Sequence, residues 1–316
     1  MMVLVFAETW KGQFKKSTFE AVRYGASCAQ MAGSHCTALV MGACDNPSEL
    51  ATHGAENIIH VSDAGSFEPH AFAGTMADIA QEDGAKALVI AGTSNGKALA
   101  GILAIKANAA AISQVIALPE SMSPLTVERS AFSSKGLEIC ASKAAQTVLT
   151  LIPNAIGMTE VSPGAGNLQS AGMSGTALAV PGEQTVASGS IPLPEAARVV
   201  SAGRGLKAAE NWGMVEALAT VLGATTACSK PVSDIGWRPH SEHVGQTGIQ
   251  INPQLYIAIG ISGAIQHLAG VSGSKVIVAI NIDPEAPFFK AADYGVVGDA
   301  FEVVPKLTEA LRKHFA

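Results

Sequence analysis

Along the first half of the chain, short apolar runs alternate with stretches of helical periodicity. Val3–Ala7, Thr37–Met41, Ile58–Val61 and Ala87–Ala91 have the length and β-branched content of buried strands. Between them the pattern predicts helices from Ser17 to Met31, Pro69 to Gln81 and Lys97 to Lys106, with a short helix near Ser48–His53. This βαβα rhythm implies a parallel sheet covered by helices. From Ala111 to Ile152 the texture changes to β-like runs broken by Pro and Ser-Lys-Gly turns (ISQVIAL, TVERSAF, LEICASK, TVLTLIP), expected to complete or cap that sheet. Ser162 to about Pro194 is dominated by Gly, Ser, Ala and Pro, and reads as a linker or an extended segment lying on a partner.

The α/β rhythm then restarts. Strands are expected at Arg198–Ser201, Ala224–Cys228, Leu255–Gly260 and Lys275–Asn281, and helices at Leu206–Leu222, Ser262–Ala269 and Val304–His314. The expected fold is α/β in two domains, each a mostly parallel sheet flanked by helices. Residues 1–185 form the first, with the linker at its end, and 186–316 form a smaller, doubly wound second domain.

Composition adds one anomaly. Charged residues make up only 15% of the 316 residues, against about 25% in an ordinary soluble domain. Such a chain hides surface against a partner or a ligand. The net charge of −6 gives no electrostatic reason to bind nucleic acid. Two long uncharged runs, 161–182 and His243–Ser274, carry Pro, Gly, Gln and Asn, so neither suits a bilayer. The start, MMVLVFAETW, lacks a basic n-region and reads as a strand, not a signal peptide. Five cysteines without a CxxC argue against a disulfide framework or a zinc site, and fit a reducing cytoplasm.

Ligands of open parallel sheets bind at the carboxyl ends of the strands, and four such ends in the second half carry small or hydrogen-bonding residues. Ser201-Ala-Gly203-Arg204-Gly205-Leu-Lys-Ala208 follows a strand and is expected to open a helix, in a G-x-G-x-x-[GA] pattern that would seat a pyrophosphate. A tight turn with an exposed Arg fits it equally well. The next strand ends Cys228-Ser229-Lys230 with no acid, which disfavours NAD. Val244-Gly245-Gln246-Thr247-Gly248 offers uncharged donors, or an ordinary turn. Ser262-Gly263-Ala264-Ile265-Gln266-His267 follows a strand, with Gln266 expected one helical turn from Ser262 and His267 able to sit neutral or cationic. Asn281-Ile-Asp283-Pro284, with Asp293 and Asp299 beyond, suits a ribose or an adenine edge, or turn chemistry. Gly92–Ala98 falls short of a P-loop, and Gly260–Gly263 is not G-x-S-x-G. His240-Ser-Glu-His243 lacks a third metal ligand and reads as a solvated loop. The sum is a large nucleotide cofactor held by neutral donors plus Arg204, Lys230 and His267, with no catalytic pair. That suits a redox carrier better than a site that transforms a substrate.

At these residues the sequence resembles the alpha subunit of electron transfer flavoproteins. Leu255–Pro305 resembles that family's signature region, and SAGRGLK, CSK, VGQTG and the LVFAE strand extend the likeness over essentially the whole chain. The resemblance implies a heterodimer with a beta subunit, packed against the first domain, and one FAD in the second domain. AMP, where present, would sit in the beta subunit. It implies electrons arriving from primary dehydrogenases and leaving to a membrane quinone oxidoreductase, without membrane insertion of this chain. Carried over by motif, FAD would contact Arg204, Ser229 and Lys230, then Val244, Gly245, Gln246 and Thr247. It would also contact Ser262, Gly263, Ala264, Ile265, Gln266 and His267, and finally Asn281, Asp299 and Ala300. Thr247 would lie near flavin N5. His267 would donate toward the C2 carbonyl and stabilise negative charge on the reduced ring, with a helix N-terminus at Ser262 adding to that field. Lys230, Ile249 and Ile282 stand where the family often carries Arg, Lys and Lys, so each alters positive charge near the cofactor. The competing reading is a nucleotide-cofactor-dependent dehydrogenase or a thiamin-diphosphate-type subunit on the same fold.

Overall fold

A computed structural model describes residues 2–132, 134–179, 182 and 191–315. The chain divides into two compact units, Met1–Ala131 with Leu137–Val186, and Phe132–Gly136 with Ala187–Ala316. The expected boundary at 185/186 and the middle of the expected linker lie outside the described residues.

In the first unit the apolar runs become strands. β1 (Met2–Phe6) leads into the small antiparallel pair β2 (Thr9–Trp10) and β3 (Gln13–Phe14), followed by α1 (Lys16–Met31), β4 (His35–Met41) and β5 (Asn57–Val61). Next come α2 (Pro69–Glu82), β6 (Ala85–Ala91), α3 (Ser94–Lys106), β7 (Ala110–Val115), β8 (Ser121–Met122), β9 (Leu125–Ala131), β10 (Gly136–Ser142), β11 (Thr147–Leu151) and β12 (Asn167–Ser170). The main sheet runs β10-β9-β7-β11-β6-β1-β4-β5-β12, with β8 beside β9. Strands β1, β4, β5, β6, β7, β11 and β12 pair in parallel, and β7 meets β9 antiparallel. β1 and β11 are buried along their whole length, as strands covered on both faces must be. The helix starts follow local chemistry: the Glu68 carboxylate accepts from Ala71 N at 2.7 Å ahead of α2, and Thr93 Oγ1 accepts from Gly96 N at 3.0 Å ahead of α3.

The sheet corrects the linker reading. Asn167–Ser170 is not a tether but an edge strand, in register with Asn57–His60. The chain beyond it stays on the first unit, where Ser174 N and Gly175 N both donate to Thr75 Oγ1. Its exposed, mostly polar residues (NLQS) hide the strand from a pattern search, because an edge strand needs only backbone partners.

The second unit holds β13 (Arg198–Ala202), α4 (Gly213–Leu222), β14 (Thr225–Cys228), α5 (Lys230–Asp234) and β15 (Leu255–Ile259), then α6 (Ile265–Leu268), β16 (Val276–Asn281), β17 (Tyr294–Val297) and α7 (Ala300–Phe315). All five strands are parallel, in the order β14-β13-β15-β16-β17. This is a doubly wound sheet whose order reverses between β13 and β15, the position where such sheets bind ligands. Among the described residues, no helix is long and apolar enough to cross a membrane.

Two expected helices are shorter than their patterns. The one expected from Leu206 begins at Gly213, after two 3-10 turns, Arg204–Leu206 and Ala209–Trp212, because Lys207 takes φ +68° and Ala208 is extended. The one expected from Ser262 begins at Ile265, because Gly263 takes φ +86° and Ala264 is non-helical. Gly203–Ala208 therefore does not open a helix, and Ser262 is not a helix cap.

Candidate functional site

The carboxyl ends of β13, β14, β15 and β16 surround a cavity of about 460 Å³, within the range of ligand pockets. Arg204 follows β13, Ser229 and Lys230 follow β14, and Ile261 and Ser262 follow β15, while Asn281 ends β16; all of them line it. Val244, Gly245, Gln246 and Thr247 form one wall. Ala264, Gln266 and His267 form another. The two walls are tied by Gln246 N donating to Gln266 O at 2.7 Å. The remaining lining residues include His243, Pro231, Gly260, Asp283 and Ala286.

Other residues expected at or near the cofactor make contacts within the protein. Gly263 lies against Phe288, whose N would be 2.4 Å from a Cβ at that glycine. Asp299 Oδ1 accepts from Phe301 N at 2.9 Å and so caps α7, which begins at Ala300. Asp293 accepts from Ile277 N at 2.7 Å and fixes the start of β16. Gly263, Ile265, Asp299 and Ala300 are not among the residues lining the cavity. Asn281 does line it, yet its amide donates to Ile261 O at 3.0 Å and its Oδ1 accepts from Asp283 N at 3.1 Å, so its first task is to join two strand exits.

The glycines of Gly203–Gly205 have a different purpose from seating a pyrophosphate on a helix. A Cβ on Gly205 would lie 2.6 Å from the Gly260 Cα, and one on Gly203 2.4 Å from the Gly260 carbonyl oxygen. Both glycines are small because the exits of β13 and β15 touch backbone to backbone at the switch point.

The electrostatics are close to neutral. Lys230 Nζ lies 2.7 Å and 2.9 Å from the two carboxylate oxygens of Asp234, one helical turn on, so its charge is already paired. That hydrogen bond holds the Asp234 carboxyl below its usual range. His267 is buried, with Nε2 2.7 Å from Tyr256 Oη. Burial pushes its pKa down from 6.5 to about 4, helped by His243 and opposed by a hydrogen bond to the Val244 backbone. With its pKa at about 4, His267 is neutral at pH 7; the bond that favours the protonated ring is one the ring donates, so its N–H donates to the Val244 backbone and Nε2 accepts from the Tyr256 hydroxyl. Tyr256 is itself fully buried on β15 and stacked on Phe288.

His243 is the residue that pattern reading missed. It is no part of a solvated loop: its side chain is 7% exposed and lines the cavity. Its backbone bridges Cys228. The signal was its place directly before the Gly-flanked turn, not its spacing to His240.

The cavity fits a flavin nucleotide. Ser229, Thr247, Gln246 and Gln266 supply hydroxyl and amide groups, Val244, Ile261, Ala264 and Ala286 an apolar lining, and Arg204 an exposed cation suited to phosphate. A planar, uncharged heterocycle rich in carbonyl and ring-nitrogen acceptors needs this mix of neutral donors and apolar walls.

Two family models match the chain: "Electron transfer flavoprotein domain" over residues 3–176 and "Electron transfer flavoprotein FAD-binding domain" over residues 192–272. An electron transfer flavoprotein subunit alpha of Bacillus subtilis (strain 168) is 34% identical over 320 residues, covering 98% of this chain and 97% of its own. The subunit of the same name from Syntrophomonas wolfei is 37% identical, covering 98% of each. Protein FixB of Escherichia coli O1:K1 / APEC is 37% identical over 249 residues, 77% of this chain and 79% of its own.

Proposed function

This chain belongs to the electron transfer flavoprotein alpha-subunit family, and from that membership we propose how its residues hold the cofactor and which proteins it serves. It is an FAD-binding electron carrier without substrate chemistry of its own, and the family pairs it with a beta subunit. FAD, when bound, supplies the one- and two-electron chemistry.

In the proposed arrangement, Arg204 holds the pyrophosphate. Ser229, Gln246, Thr247, Ser262 and Gln266 direct neutral donors at the ring and ribose, and Ile261 and Ala264 exclude water from the ring face. His267, kept neutral by burial and held by Tyr256, presents a fixed dipole rather than a charge. Electrons reach the site from primary dehydrogenases and leave to a membrane quinone oxidoreductase. The division taken is residues 1–185 for partner packing and 186–316 for the cofactor. Free cysteines, three of them buried, support a cytoplasmic setting.

The observation that carries this reading is the neutral-donor cavity at the switch point of the second sheet. The chain purified with its beta subunit is expected to be yellow, with a flavin that a dehydrogenase reduces and a quinone oxidoreductase reoxidises. A colourless complex defeats the cofactor assignment. A flavin that exchanges electrons with neither partner class defeats the partner assignment.

A further inference from the structure

Buried polar groups ordinarily find a partner. His243 is a mostly buried residue whose ring nitrogens carry no such bond and are not themselves sealed from solvent. The turn Gly245–Gly248 encloses its ring: a Cβ on Gly248 would lie 2.8 Å from its Nδ1, and one on Gly245 3.5 Å from its Nε2. The bare glycine at 248 makes room for an imidazole, while a Cβ at 245 would touch the ring at ordinary contact distance. Its carbonyl accepts from Ile249 N at 2.8 Å, closing the turn beneath it. Among the described residues, no side-chain or backbone group hydrogen-bonds the ring itself, in contrast to His267, whose Nε2 meets Tyr256. The ring nonetheless lines the cavity. A histidine so placed has its hydrogen-bonding capacity reserved for what fills the cavity.

We propose that His243 is a second imidazole of the cofactor site and takes up one proton from solvent as the flavin bound in this cavity is reduced. The inference rests on the FAD reading of the site. The electron comes from the donor protein that the carrier activity requires. The proton passes from bulk water to a ring nitrogen of His243, and no bond to the flavin forms or breaks there.

The surroundings favour this role. His243 faces Lys230 and Asp234 of α5, His240 on its own turn, His267 on α6 and Cys228 at the end of β14. Lys230 and Asp234 are paired and nearly cancel. Burial pushes the Cys228 thiol up to about 12, so it stays uncharged. Burial first, then Lys230, holds the His243 ring below its usual range, so it is neutral before reduction and free to accept a proton when negative charge accumulates across the cavity. His267 cannot take that part as readily, since burial holds its pKa at about 4 and its Nε2 is already occupied by the Tyr256 hydroxyl.

The test uses the complete complex of this chain with its beta subunit. Flavin midpoint potential is measured against pH for the natural protein and for His243→Gln, which keeps a neutral donor and acceptor. In parallel, the His243 ring is titrated by NMR of ring-labelled histidine in the oxidised and reduced complexes. The natural protein is expected to take up one proton more on reduction than the variant, over the interval in which His243 titrates. The ring is expected to protonate at higher pH in the reduced complex. Equal pH slopes in a flavin-loaded variant, or a His243 titration unmoved by reduction, overturn the inference and leave the FAD reading standing. If the variant fails to assemble, the NMR titration of the natural complex decides alone. A complex without flavin overturns both.

Discussion

His267 is set by its neighbours before any ligand arrives. Its ring is buried, bonded to Tyr256 and lowered to about 4 from an ordinary 6.5. The unfolded chain therefore binds the proton between those values and the folded chain does not. Stability rises with pH across that window: the contribution is fully present above about pH 6.5 and is lost as pH falls toward 4. The shift corresponds to roughly 3 kcal/mol at most. His267→Gln removes the titration while leaving an acceptor for the Tyr256 hydroxyl. Urea unfolding of the second unit, read by Trp212 and Trp237 in a Trp10→Phe background, is expected to weaken toward pH 4 in the natural protein and markedly less in the variant. Equal acid sensitivity in both would show that the ring is not held neutral by the fold. The residual slope in the variant belongs partly to His243, whose ring is lowered for the same first reason, burial.

At the scale of elements, the site depends on how closely β13 and β15 leave the sheet. Gly260 takes φ +58°, and a Cβ there would lie 2.8 Å from the Gly205 Cα. Gly260→Ala meets both the left-handed backbone and a backbone contact that cannot rotate away, so a loss of about 1–3 kcal/mol is expected. Because the exits that part are the ones lining the cavity, flavin retention on gel filtration should fall with thermal stability. A variant as stable as the natural chain and equally loaded would show that the contact is not needed. Much of this sheet was legible beforehand, since runs such as Leu255–Ile259 and Val276–Asn281 are buried apolar strands that local pattern alone announces. The motif residues at their ends were legible too, as far as position goes. What pattern could not announce was backbone irregularity. Lys207 at φ +68° and Gly263 at φ +86° delay two helices whose patterns begin earlier in sequence, and side-chain periodicity does not record φ. The edge strands β12 and β17 are only four residues long and exposed throughout, so no sustained buried run marks them. The cap that Asp299 makes was not legible either, because an acid near a strand end serves caps and sugars alike.

The whole molecule accounts for its shortage of charge in two ways. In the second unit the uncharged run from His243 to Ser274 supplies two walls of the cavity. In the first, much of the uncharged run after Glu160 is folded back onto its own unit: a Cβ on Gly164 would lie 2.1 Å from the Ala55 oxygen, and one on Gly175 1.9 Å from the Ala71 oxygen. Ile105, Leu137 and Ile139 stand exposed on the first unit. Two units with separate cores and one cofactor cavity have a thermodynamic consequence. A ligand stabilises only what unfolds with its site, by RT ln(1 + [L]/Kd), or about 2.7 kcal/mol at a hundredfold excess over Kd. Hydrogen exchange of the complex with and without FAD should therefore slow in β13, β15 and the Val244–Thr247 turn, where opening exposes the site. The buried amides of β1, β6 and β11, whose core is separate, should exchange at unchanged rates. Equal protection in both units would mean that they open as one, and the cofactor would then govern the stability of the first unit as well as its own.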